Sequence, residues 1–311
     1  CCTTSGKFSD EGFENRRSDT PQIIRDFQKE LFKLLLEEKN KDEVTKYVNE
    51  FKEKFPEREC RISNFIDGPV FTANVVAGDR VVVGNPSYQI TGIAPFTDLP
   101  FSTIGNDFAL PLKYEKARKE TLEMALAVGK RMKEAGWKGL FGIDVIYDEK
   151  ADKTFLLEIN ARQPASAVFE SSLQKQSDPA CASIFEAHIA ALIGQKIEGA
   201  IGSVKDGAQI VKRVTNAKSR ADVKALLEKG FEVIEYENEL HNKELLRIQS
   251  SKGIMESHGK LNALGNFISS CILAWQWLRS GEEKLDDCRD LIENGLKGND
   301  TTFFHDEKIL I

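Results

Sequence analysis

The apolar residues of this chain change their spacing along its length. Between Pro21 and Phe55 they recur every three or four positions, which is typical of amphipathic helices. Asn40 and Asp42 interrupt this pattern, so the sequence predicts two helices here. From Arg61 onward, short runs rich in Val, Ile and Phe predict strands instead.

The rest of the chain mixes predicted strands with predicted helices. Strands are predicted over 61–66, 70–76, 81–83, 141–147 and 154–160, with further short strands within 84–112 and 208–250. Helices are predicted over 114–135 and 178–192, near 221–229, and over 260–278 and 282–294. This mixture predicts an α+β fold with a helical C-terminal region.

Composition and charge exclude several classes of protein. The 311 residues are 41% hydrophobic and 30% charged, which suits a folded chain of about two domains and excludes a fully disordered one. The net charge of −6 argues against a generic nucleic-acid or anionic-membrane binder. The strongly apolar stretch from Phe267 to Leu278 is too short to cross a bilayer. Apart from the adjacent Cys1 and Cys2, the six cysteines are scattered and none has CxxC spacing, which argues against a zinc site or disulfide framework, so we expect a cytoplasmic location.

Two neighbouring strands carry the most informative polar residues. If Asp148 pairs with Thr154 across the turn, then Asp144 lies opposite Glu158. Side chains alternate between the faces of a strand, so Asp144, Glu158 and Asn160 share one face. The other face is expected to belong to the core; it comprises Phe141, Ile143, Val145, Phe155, Leu157 and Ile159.

Two carboxylates that face each other repel unless a cation lies between them. Carboxylate and amide oxygens are hard ligands that suit Mg²⁺ or Mn²⁺. Arg162, two residues beyond Asn160, can contact a phosphate or a carboxylate with two parallel hydrogen bonds. The alternative is an ordinary solvated hairpin face, on which Asp144 or Glu158 pairs with a neighbouring lysine.

The segments GIDVIYD and FLLEINARQPAS, which form this hairpin, resemble the metal-binding hairpin of the ATP-grasp superfamily. The resemblance implies that Asp144, Glu158 and Asn160 hold Mg²⁺ against the phosphates of ATP. It also implies that Arg162 contacts the reacting groups and neutralises an acyl phosphate. The implied fold is an ATP-grasp-like antiparallel sheet with flanking helices.

A second segment, CRISNFIDGPVFTANVVAGDRVVV, resembles the strand, hinge and strand that meet the adenine in the same superfamily. The matching positions, implied to bind the nucleotide, are Ser63, Asn64, Phe65 and Ile66. The alternative is a buried strand in which Phe65 is a core residue. The two resemblances together cover about residues 60–200.

The resemblance also implies a division of the chain. We expect a helical remnant of the smaller ATP-grasp subdomain over 1–57, the C-terminal ATP-grasp subdomain over 58–205, and a strand-and-helix region over 206–311. Members of the superfamily carry a Gly-rich loop and two lysines in a preceding part, which 1–57 does not match. We therefore expect the N-terminal part to be truncated or supplied by a separate chain. A homo-oligomer is a further expectation.

Polar, Gly-rich loops and the segment after Arg162 supply candidates for the acceptor-substrate side of a cleft. The candidates are Gln89, Thr97, Asn106, Gln163 and Ser166. For the loop residues the alternative is ordinary turn chemistry. His188, beside apolar helix residues, is predicted to be packed or hydrogen-bonded and not a catalytic base.

The resemblance implies an ATP- and Mg²⁺-dependent ligase with small-molecule carboxylate and amine substrates. The carboxylate would become an acyl phosphate, which the amine or a similar nucleophile then attacks. One alternative is a catalytically incomplete nucleotide-binding or scaffold subunit. Another is a plain α+β domain with an acidic hairpin, which predicts no Mg²⁺-dependent rise in melting temperature.

Overall fold

The computed structural model describes residues 41–56, 65–215 and 221–278. The chain divides into two compact units, Cys1–Asp67 and Gly68–Ile311, and the division into three parts expected above stays a prediction. Several predictions lie outside the described residues. They are the helix before Asn40, most of the strand over 61–66 and the helix over 282–294.

The first unit contributes one described helix, α1 (Lys41–Lys54), which matches the second helix predicted there. The strands of the second unit are β1 (Val70–Ala77), β2 (Val81–Val83), β3 (Ser87–Thr91), β4 (Thr103–Asp107), β5 (Gly139–Asp148), β6 (Lys153–Asn160), β7 (Ala208–Arg213), β8 (Glu232–Glu235), β9 (Glu244–Ser250), β10 (Met255–Ser257) and β11 (Lys260–Leu261). Its helices are α2 (Glu115–Glu134), α3 (Ala167–Ser177), α4 (Ile184–Leu192), α5 (Val223–Glu228) and α6 (Ala263–Leu278), with a 3₁₀ turn over Leu110–Lys113.

Nine of these strands form one antiparallel sheet. The order across it is β6-β5-β1-β3-β4-β7-β9-β8, and β2 pairs with β1 outside this path. Among the described strands β6 is last in the order, so β5 is its one partner there. The sheet with helices packed on it confirms the predicted α+β class.

One face of the sheet carries the main core. Its buried residues include Phe71, Tyr88, Ile143, Ile210 and Ile248. Helix α2, which matches the helix predicted over 114–135, covers this face with Ala117, Thr121 and Ala125. A Cβ added at Gly129 would come within 2.4 Å of Val81, so glycine lets α2 approach the sheet closely.

The segment after the hairpin departs from the prediction. Helix α3 was not predicted, and the helix predicted to start near Asp178 begins at Ile184. Ser183 and Glu186 form a capping box at this start, so local capping determines where the helix begins. The helix ends just before Gly194, as predicted, because this glycine takes a positive φ of 71°.

Helix α4 packs on the opposite face of the sheet, against Val76 and Leu140. The backbone N–H of Leu140 donates to Nδ1 of His188 at 2.9 Å, which confirms that His188 is hydrogen-bonded. Burial lowers the pKa of His188, which favours the neutral ring that can accept this bond. Within the described ranges, no helix has the length and apolar character needed to cross a membrane.

Candidate functional site

Strand β5 lies between β6 and β1, and its central residue is Asp144. Asp144 pairs with Glu158 on β6, which confirms the predicted register at this point. Toward the turn, however, Asp148 pairs with Lys153 and not with Thr154, which was the predicted partner. A β-bulge beyond Asp144 absorbs the difference, with Leu157 as the extra residue.

The bulge changes the face of the sheet on which the β6 side chains before it lie. Leu156, not Leu157, lies opposite Val145, and Phe155 lies opposite Ile146 on the Asp144 side of the sheet. Phe155 and Ile159 are 36% and 43% exposed, so the prediction that they belong to the core is wrong. Phe155 is exposed because the bulge moves it to the other face of the sheet. Ile159 is exposed because β6 is the last of the described strands in the order, so no further strand among them covers it.

The side chains of the hairpin converge as the sequence predicts. Nδ2 of Asn160 donates to Oδ2 of Asp144 and to Oε1 of Glu158, each at 3.0 Å. Nη2 of Arg162 donates to Oδ1 of Asn160 at 3.3 Å. The four predicted residues therefore lie together near the end of β6. The side-chain amide of Asn160 is hydrogen-bonded to both carboxylates.

Asp144 is only 7% exposed, so its negative charge is poorly hydrated. Burial raises the pKa of Asp144 to about 6, and Glu158 adds to the increase. Hydrogen bonds from Thr72 and Asn160 act in the opposite direction. Near neutral pH the site thus holds a buried carboxylate that a cation would stabilise.

These residues fit a hard divalent cation. The carboxylate oxygens of Asp144 and Glu158 approach one point, where the amide nitrogen of Asn160 now lies. Turning that amide about its Cβ–Cγ bond would present its oxygen, giving two carboxylates and one carbonyl, a donor set suited to Mg²⁺ or Mn²⁺. Among the described residues, no group of three or more His, Cys, Asp or Glu side chains is arranged to hold a metal.

Two of the predicted substrate residues lie on the same sheet face as Asp144. Gln89 pairs with Asn106, and Nε2 of Gln89 lies 3.4 Å from Oγ1 of Thr72, the residue that pairs with Asp144. Asn106 is buried and donates to Oγ of Ser87 at 3.1 Å. The face therefore presents a polar row that starts at the hairpin and crosses β1, β3 and β4.

The other predicted substrate residues lie in different surroundings. Thr97 is in the β3–β4 connection, where its hydroxyl accepts the N–H of Leu99 at 3.1 Å. Gln163 is exposed beside Arg162. Ser166 is buried, and its hydroxyl accepts from Nδ2 of Asn74 at 3.1 Å. Of these three residues, only Gln163 is exposed to solvent near the hairpin.

The segment with the nucleotide-hinge resemblance is described only in part, since Ser63 and Asn64 lie outside the described residues. Phe65 and Ile66 are not in a strand, and Phe65 is 47% exposed. The interpretation of Phe65 as a core residue in a strand is therefore wrong. A role of these four positions in nucleotide binding stays a prediction.

Sequence reasoning missed a polar cluster beside the hairpin. Glu170 on α3 is fully buried, and its carboxylate accepts from Asn74 at 2.7 Å, from Gln174 at 2.9 Å, and from both the backbone and side chain of Asn85. Burial raises the pKa of Glu170 to about 7, against the effect of these donors. The sequence gives one indication of this cluster. Two polar residues, Thr72 and Asn74, lie two positions apart in the otherwise apolar strand β1, and therefore on the same face of the sheet.

Replacing Glu170 by Leu is expected to lower the free energy of unfolding by about 3 kcal/mol, because four donors would lose their acceptor in a buried site. Glu170→Gln is the matched control. Its amide oxygen can still accept from Asn85 and Gln174, and it carries no buried charge at pH 8, so little or no loss is expected. Urea unfolding followed by circular dichroism at pH 8 measures both. Equal losses in the two variants would contradict this role of the carboxylate.

Comparison with known proteins gives matches at the level of structure only. No known family and no curated protein matches the sequence. An L-amino acid ligase from Bacillus licheniformis is 16% identical, with a TM-score of 0.51, and the match covers 78% of this chain and 59% of that chain.

N5-carboxyaminoimidazole ribonucleotide synthetase from Thermus thermophilus is 12% identical, with a TM-score of 0.49, over 67% of this chain and 52% of that one. N5-carboxyaminoimidazole synthase from Aspergillus clavatus, solved with ADP and 5-aminoimidazole ribonucleotide, is 13% identical, with a TM-score of 0.46, over 82% of this chain and 58% of that one. The match therefore spans less than two thirds of the length of each of these proteins.

The likeness to the ligase, together with the antiparallel sheet and its flanking helices, shows the fold. The second unit of this chain has an ATP-grasp fold, and the expectation drawn from the two sequence segments is confirmed at this level.

Proposed function

We propose that this chain provides the cation and phosphate site of an ATP-dependent ligase. The observation that carries the proposal is the convergence of Asp144 and Glu158 on one donor, with 3.0 Å from Asn160 Nδ2 to each carboxylate. Asp144 is buried and Glu158 is half-buried, so the two neighbouring carboxylates repel each other, and Mg²⁺ or Mn²⁺ bound together with ATP would neutralise them. The ATP-grasp fold agrees with this assignment.

Asp144, Glu158 and Asn160 would hold the divalent cation. A bound cation neutralises negative charge on phosphate oxygens and so favours transfer of the terminal phosphoryl group. Arg162 is exposed at the end of β6, and its guanidinium lies beside Asn160. From there it can donate two hydrogen bonds to a phosphate or to an acyl phosphate as negative charge develops.

The proposed substrates are a small carboxylate and an amine or similar nucleophile. The carboxylate attacks the γ-phosphate of ATP and forms an acyl phosphate with release of ADP, and the amine then displaces phosphate. Gln89 and Asn106, on the same face as Asp144, are proposed to line the acceptor side. Because the structurally similar protein from Bacillus licheniformis is named as an L-amino acid ligase, amino acids are the first carboxylates to test.

The test adds ATP, MgCl₂, single L-amino acids and hydroxylamine to an enzyme preparation that contains this chain together with the N-terminal part expected above. Hydroxylamine converts an acyl phosphate into a hydroxamate, which is measured together with phosphate release. Mg²⁺-dependent hydroxamate formation would support the ligase. Heat released on titration with Mg-ATP, without hydroxamate or phosphate, would support the nucleotide-binding or scaffold subunit instead. Absence of both signals would favour the plain α+β domain.

A further inference from the structure

Thr72 lies in the middle of β1, directly beside Asp144 in the sheet. Its hydroxyl Oγ1 donates to Oδ1 of Asp144 at 2.7 Å, and both side chains are 7% exposed. This bond and the one from Asn160 reach different oxygens of the carboxylate. The Asp144 side chain is therefore held from two sides, one of them independent of the hairpin.

A residue on a third strand lies within hydrogen-bond distance of the Thr72 hydroxyl. Nε2 of Gln89 points toward Oγ1 of Thr72 at 3.4 Å, a long contact in which the hydroxyl oxygen accepts. A threonine hydroxyl has one proton, so accepting from Gln89 leaves that proton for Asp144. The donors thus run from Gln89 on β3 through Thr72 on β1 to Asp144 on β5.

We propose that Thr72 is a positioning residue that orients Asp144 toward a divalent cation, and that Gln89 directs the Thr72 hydroxyl. The inference rests on the proposed function, since it assumes a cation at Asp144. A donor that fixes one oxygen of a ligating carboxylate leaves the other oxygen in a defined direction, and such partners commonly contribute about 10- to 100-fold to metal affinity.

A purely structural role gives a different expectation. The neighbours of Thr72 in β1 are mostly apolar and buried, and valine has the same shape and forms strands at least as well. A threonine kept only for packing could therefore be replaced by Val without loss of cation binding. The positioning role predicts that the same replacement weakens it.

The experiment measures Mn²⁺ binding to the full chain at pH 7.5 by the loss of the electron paramagnetic resonance signal of free Mn²⁺. Thr72→Val is expected to weaken binding about 10- to 100-fold, whereas Thr72→Ser, which keeps the hydroxyl, stays within about threefold of the wild type. Thr121→Val is the matched control, because Thr121 is fully buried and donates to Ala117 O within α2, which covers the face of the sheet opposite to that of Asp144. Its binding is expected to equal that of the wild type.

Gln89 provides a second, independent variant. Gln89→Leu removes the donor without adding a charge, so the Thr72 hydroxyl is no longer directed toward Asp144, and Mn²⁺ binding is expected to weaken about tenfold. Equal Mn²⁺ affinity in the wild type and in Thr72→Val would overturn the positioning role and leave the proposed function standing. If the wild type itself bound no Mn²⁺, the cation site and this inference would both be overturned.

Discussion

Glu158→Gln is expected to reduce ATP turnover by two or more orders of magnitude in an enzyme preparation that contains this chain. The amide keeps the shape of the side chain but replaces one anionic oxygen by an N–H donor, which repels a cation. The rate should also respond less to the concentration of MgCl₂. Phosphate release, measured over a range of MgCl₂ concentrations, checks both effects.

The matched control for this prediction is Glu149→Gln. Glu149 is exposed in the turn between β5 and β6, so its replacement removes the same charge from the same hairpin without touching the proposed ligands. Its turnover should equal that of the wild type. If Glu158→Gln kept nearly full activity with its circular dichroism spectrum unchanged, Glu158 would not be a ligand.

Asp144→Asn is expected to have opposite effects on stability and on ligand binding. In buffer with EDTA at pH 8, the variant should be more stable than the wild type by up to about 3 kcal/mol, because it removes a buried charge. Addition of Mg-ATP should raise the melting temperature of the wild type and leave that of the variant unchanged.

The pH dependence follows from the raised pKa of Asp144, about 6 in the folded chain against 3.8 for the ordinary side chain. The folded chain holds the proton more tightly, so this group favours folding below pH 3.8 and loses that contribution as the pH rises through 6. The advantage of the variant should therefore appear between about pH 4 and pH 7 and then stay constant. Thermal unfolding from pH 5 to pH 8 measures it, and a variant less stable than the wild type at pH 8 would contradict the electrostatic argument.

The sequence alone was sufficient to place the central pair of the site. Strand periodicity and a short connection bring Asp144 opposite Glu158, and the structure has this pairing. Periodicity could not reveal the bulge at Leu157, because one extra residue in a strand leaves the apolar composition unchanged. The pairing at the turn was therefore predicted one residue away from its observed position.

The residues that support the site were harder to find because their partners are distant in sequence. Thr72 lies 72 positions before Asp144, and Asn74 lies 96 positions before Glu170. Such contacts depend on the order of strands in the sheet, which local patterns do not specify. The same limitation explains Ile159, whose apolar side chain gave no indication that β6 is the last strand in the order.

The bulge also separates the two ends of the hairpin mechanically. The strands pair in one register on the Asp144 side of the bulge and in another on the turn side. A change in the length of the 149–152 connection can therefore shift the pairing near the turn without shifting the pairing of Asp144 with Glu158. A longer or shorter connection is therefore expected to leave the spacing of the two acids unchanged.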